Sequence, residues 1–88
     1  MLSVLPGTMA EAELQRRLSD TQAAVIMKVG RNLAKIRQAL ARAGKLDRAV
    51  YVERGTMPEE HIVKLADKPD DEAAYFAVVL VPGERKPL

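Results

Sequence analysis

The stretch AAVIMKVGRNLAKIRQALARAG, residues 23–44, decides the fold. Ala23-Ala24-Val25-Ile26-Met27 is a continuous apolar run of strand length, the pattern of a central strand buried on both faces. Lys28-Val29-Gly30-Arg31 follows as a strand-to-helix loop, and Asn32 stands where it can cap a helix. Leu33, Ile36, Ala39, Leu40 and Ala43 then fall on one apolar stripe. Gly44 supplies a left-handed stop. The next apolar segment, residues 49–53, alternates as a strand with Val50 and Val52 on one side and Tyr51 on the other. Residues 23–53 therefore predict a right-handed strand–helix–strand crossover with its two strands parallel.

Upstream, Thr8 and Glu11 have the spacing of a capping box, and Ala10, Leu14 and Leu18 repeat on one face with Arg16 and Arg17 outside it. A helix is expected over residues 9–18. Downstream, a third strand is expected over residues 61–65. Residues 67–72, charged and interrupted by Pro69, read as a solvent loop, and residues 75–81 as a last strand stopped by Pro82-Gly83. Short connections favour antiparallel additions, so the expected fold is α/β: a small mixed β-sheet with two main helices, one domain over residues 1–88. In such sheets ligands bind beyond the carboxyl ends of parallel strands, here the loops at residues 27–31 and 53–57.

Composition narrows the chemistry. The 88 residues are 48% apolar and 30% charged, which suits one compact core and excludes disorder. No cysteine is present and His61 is the sole histidine, so disulfides, thiolate nucleophiles and thiolate zinc sites are excluded and metal chemistry is disfavoured. A net charge of +2 does not predict nucleic-acid binding without a concentrated basic face. No apolar run approaches the roughly 20 residues of a membrane helix, and the first residues lack the basic start of a signal peptide, so a cytoplasmic protein is expected.

Few residues look chemical. In VYVERGTMPEE, residues 50–60, Glu53, Arg54 and Thr56 surround Gly55; the arginine with backbone amides could hold an anion, or the glycine simply permits a turn between solvated charges. Lys28-Val29-Gly30-Arg31 could be a phosphate nest or a plain turn. His61 has no partner spaced for a catalytic triad. Arg31, Lys35, Arg37, Arg42 and Lys45 make the second helix basic, but without interleaved aromatics they read as a solvated face. Asp70, Asp71 and Glu72 lack calcium-loop periodicity.

The strings VIMKVGRNLAKIRQAL and LDRAVYVERGTMPEEHIVKLADKPDDEAAYFAVVLVPG resemble the C-terminal part of the tetrapyrrole methylase family over residues 4–83. The MKVGRNL segment, the YVERGTMPEE turn and the DKPDDEAAYF ending are its specific pieces. The resemblance implies a methyl transfer from S-adenosylmethionine to carbon 20 of precorrin-2, or of cobalt-precorrin-2, in cobalamin biosynthesis. It implies a homodimer of two-domain subunits with the cofactor between the domains, so that this chain is the C-terminal domain, partnered by its own N-terminal domain and inactive alone. By the same resemblance Met27, Val50, Tyr51 and Thr56 line the cofactor site, while Lys28 replaces a glycine found in other branches of the family. No catalytic residue is assigned and no metal is implied. The rival expectation is a protein-interaction module without a cofactor, using a sheet edge and an apolar face.

Overall fold

Five strands and two helices alternate along the chain of this computed structural model, which describes residues 2–54, 60–73 and 77–83. The strands are β1 (Leu2–Pro6), β2 (Ala23–Met27), β3 (Val50–Arg54), β4 (Glu60–Lys64) and β5 (Ala77–Val81); the helices are α1 (Glu11–Asp20) and α2 (Leu33–Arg42). All five strands form one mixed sheet in the order β1-β2-β5-β3-β4. β1 pairs parallel with β2, and every other pairing is antiparallel. The expected α/β class with two helices on a mixed sheet holds.

The topology departs from expectation in one respect. β2 and β3 do run in one direction, since each is antiparallel to β5, but β5 lies between them. The adjacent parallel pair is β1 and β2 with α1 as its connection. β1 was not anticipated: LSVLP is short, and its proline suits only an edge.

Period-2 alternation sends one set of strand side chains under the helices. Leu5, Ala24, Ile26, Tyr51, Ala77, Val79 and Val81 are buried there, against Leu14 and Leu18 of α1 and Leu33, Ile36, Ala39 and Leu40 of α2. The helical stripes read from sequence are therefore the core stripes. β2 is buried on one face only; on the other Ala23 and Val25 are half-buried and Met27 is exposed.

Helix ends differ from the simplest reading. α1 begins two residues later than predicted, with Ala10 at its N-cap and no side-chain cap, so the Thr8–Glu11 capping box does not form. The chain instead turns at Pro6, whose carbonyl accepts from the Met9 amide at 3.1 Å. A 3-10 turn over Gly30–Asn32 leads into α2, and Asn32 does not cap it. Gly44, at φ 74°, closes α2 as expected. Its amide donates to Ala41 O at 3.1 Å and that of Lys45 to Leu40 O at 2.9 Å, the paired bonds of a Schellman motif.

The basic residues of α2 are not a plain solvated face. Arg37 donates to Leu65 O and Asp70 O, each at 2.7 Å, and to Asp71 Oδ1 at 2.9 Å, so it clamps the loop at residues 65–71 to the helix. Lys45 Nζ donates to the Leu18 and Thr21 carbonyls at the end of α1, where a cation meets the negative pole of the helix.

Candidate functional site

Because β1, β2 and β3 run the same way, their carboxyl ends gather at one edge of the sheet. That edge is built around close backbone contacts. Gly7 is buried there, and its amide donates to Met27 O at 2.7 Å. A Cβ at position 7 would lie 2.8 Å from Lys28 O and 2.9 Å from Ile36 Cδ1, so only glycine lets the first loop cross the end of β2. Lys28 has φ 54° and Gly30 φ 35°, both left-handed, on either side of Val29, which is buried. Asn32 Nδ2 donates to Lys28 O at 3.2 Å. The Lys28–Arg31 segment is thus a rigid, doubly reversed turn.

The residues expected at a cofactor site divide between the two faces of the sheet. Met27, 47% exposed, and half-buried Val50 lie on the face away from the helices. Val50 is level with Val25 through Leu80, one strand of spacing to each side. Tyr51 lies on the helix face, 2% exposed, its hydroxyl donating to Glu53 Oε1 at 2.7 Å and its ring 4.7 Å from Lys68 Nζ. Its side chain belongs to the core and to a cleft of about 480 Å³ shared with Glu53, Val63, Lys64, Asp67, Lys68 and Pro69. Thr56 and Gly55 lie outside the described residues, and of Arg54 and His61 the backbone alone is described, with His61 opposite Glu53 across β3 and β4.

Met27 and Val50 open onto a wider apolar surface. Leu2, Val4, Ile62 and Leu80 are exposed on the same face, with Val25, Val52 and Val78 half-buried among them. Val4, Val25, Leu80 and Val50 form one row across four strands. A shallow groove of about 340 Å³ runs over this face, lined by Leu2, Val25, Val50, Val52, Ile62 and Leu80 among others. Such a wall fits an aromatic or aliphatic group better than a charged one. Among the described residues no group of three or more acidic or histidine side chains is placed to hold a metal ion.

Residues 1–68 match the family model described as Tetrapyrrole (Corrin/Porphyrin) Methylases. The chain belongs to this family. Among curated methylases it is 74% identical over 83 residues to the precorrin-2 C(20)-methyltransferase of Sinorhizobium sp, a match covering 94% of this chain and 34% of that protein. It is 34% identical over 84 residues to the cobalt-precorrin-2 C(20)-methyltransferase of Salmonella typhimurium, covering 91% of this chain and 35% of that one. The cobalamin biosynthesis protein CobIJ of Mycobacterium bovis is 42% identical over 86 residues, 98% of this chain and 17% of its own length. The methylase chain thus spans about a third of the length of the two C(20)-methyltransferases. The crystal structure of the methyltransferase CobJ shares its fold, with a TM-score of 0.64 at 19% identity over 96% of this chain and 43% of that one.

The clamp made by Arg37, read from sequence as part of a solvated face, and the need for Gly7 have no local sequence signal. Gly7 follows a proline in a loop with no periodic signal, and the partners of Arg37 lie 28 to 34 residues away. Lys28 was noticed as a substitution for glycine, and its left-handed backbone is the physical counterpart of that observation.

Proposed function

We propose that this methylase chain is the C-terminal domain of an S-adenosylmethionine-dependent enzyme that methylates carbon 20 of precorrin-2 or cobalt-precorrin-2 in cobalamin biosynthesis. The observation that carries the reading is the 74% identity over 94% of the chain to a protein of that specificity. S-adenosylmethionine supplies an electrophilic methyl group that a nucleophilic carbon takes by in-line displacement. The part of this chain is to orient and to exclude water: exposed Met27 at the carboxyl end of β2 and half-buried Val50, which opens β3 level with Val25, offer an apolar wall on the sheet face that leads to that edge. Tyr51, whose side chain is committed to the core, contributes main chain, and Thr56 is assigned to the same site by the family resemblance. Orientation of this kind is worth about 7–11 kcal/mol in favourable cases, and it requires both walls of a cleft. The second wall is the domain's own N-terminal partner, in a cytoplasmic homodimer.

The test is calorimetric titration of S-adenosylhomocysteine into this chain alone and into a mixture with the separately produced N-terminal domain. Binding in the mixture and not in the single chain is the expected result. No binding in a mixture shown to associate would overturn the reading. It would favour an interaction module instead, for which the exposed row Val4, Val25, Leu80 and Val50 is the specific support.

A further inference from the structure

Three observations meet at Lys28. It is the one residue other than glycine with a positive φ among the described residues, at 54°. An L side chain in that region crowds its own carbonyl, and glycine would remove the crowding. Its ammonium is exposed and forms no ion pair or hydrogen bond within the described residues, a state it shares with Arg31, Lys35 and Lys64, none of which has its left-handed backbone. Its backbone is also held rigidly. Asn32 Nδ2 grips its carbonyl at 3.2 Å, Gly7 binds the preceding carbonyl at 2.7 Å, and Val29 is sunk in the core. The charge therefore projects from a fixed base at the carboxyl end of β2, next to Met27. No acidic residue occurs between Asp20 and Asp47, so nothing in the local chain neutralises Lys28 or Arg31.

A residue that strains its backbone and contributes no charge pairing to the fold is held there for what its side chain meets outside. We propose that Lys28 is a carboxylate-anchoring residue of the ligand edge. This rests on the functional reading above, which brings two carboxylate sources to that edge: the acidic side chains of the tetrapyrrole and the methionyl carboxylate of S-adenosylmethionine. A compact ammonium on a rigid turn serves either through a charge-assisted hydrogen bond.

The experiment uses the full-length enzyme with Lys28→Met, Lys28→Gly and Lys28→Arg. Lys28→Met raises the KM of one of the two substrates about 10-fold with kcat little changed, the loss expected of one charged hydrogen bond. The same KM becomes less sensitive to added salt than in the wild type. Lys28→Arg restores most of the affinity. Lys28→Gly loses it as fully as Lys28→Met while melting no lower than wild type, which separates anchoring from folding. The substrate whose KM moves identifies the source of the carboxylate. Unchanged KM for both substrates in the Met and Gly variants of an enzyme that does methylate precorrin-2 or cobalt-precorrin-2 would overturn the proposal alone. A wild-type enzyme that transfers no methyl to either tetrapyrrole would overturn the functional reading and this inference with it.

Discussion

Gly7 shows how one absent side chain sets the shape of the edge where β1, β2 and β3 end. Its missing Cβ lets the first loop lie on the carbonyls of Met27 and Lys28, and the resulting hydrogen bond fixes where Met27 ends its strand. Gly7→Ala would place a methyl group 2.8 Å from backbone and 2.9 Å from Ile36 Cδ1, and the backbone has no rotamer to escape into. We expect a loss of about 1–3 kcal/mol, the range of overpacked sites, measured by urea unfolding of this chain. Under the proposed function, the same change in the full-length protein should weaken cofactor affinity, since it displaces the turn that carries Lys28. Little of this is legible in a sequence. Val50 and Tyr51 could be assigned to opposite faces because alternation is local, but the need for glycine at position 7 arises from Lys28 and Ile36, which are distant in the chain.

At the scale of elements, the legible parts are those whose signals are short-range. The stripe of α2 and the stop at Gly44 depend on spacing and on one positive φ, and both stand as read. The Thr8–Glu11 capping box had the right spacing too, but Pro6 and Gly7 take the chain into a different turn and α1 begins at Glu11. α1 carries its own electrostatic device. Glu13 accepts from Arg16 at 3.0 and 2.5 Å and from Arg17 at 3.0 Å, and these guanidinium groups hold its carboxyl at about 2 against an ordinary 4.5. A carboxyl with a depressed folded pKa adds stability above its unfolded value and loses it as pH falls through the folded one. The contribution of Glu13 should therefore be complete above about 4.5 and fade between there and about 2. Carboxyl NMR titration should place the Glu13 midpoint near the lower value, and Arg16→Gln, removing the largest cause, should move it upward. A midpoint near 4.5 in the unmodified chain would show that the pairs do not persist in solution.

For the molecule as a whole, strand order matters more than strand identity. Four of the five described strands are recognisable from their own residues, β1 being the exception, yet the position of β5 is not, because pairing with β2 and β3 is decided by contacts more than 20 residues apart along the chain. Without β5 the sheet falls into two separate ladders, β1 with β2 and β3 with β4, with no strand pairing between them among the described residues. Val79 sits in the middle of that seam, fully buried between Ile26 and Tyr51. Val79→Asp should abolish cooperative unfolding of the whole chain rather than loosen one edge, because an unpaired carboxylate would lie in the centre of the core. Circular dichroism melting would check this, and a cooperative transition near that of the unsubstituted chain would refute it. The seam has a further consequence for synthesis. A ribosome delivers β5 after the other four described strands, so the growing chain carries two unpaired ladders until residues 77–81 emerge. Closure of the sheet thereby waits on that one segment, and a chain cut short before residue 77 would lack the sheet centre and be exposed to proteolysis from the start.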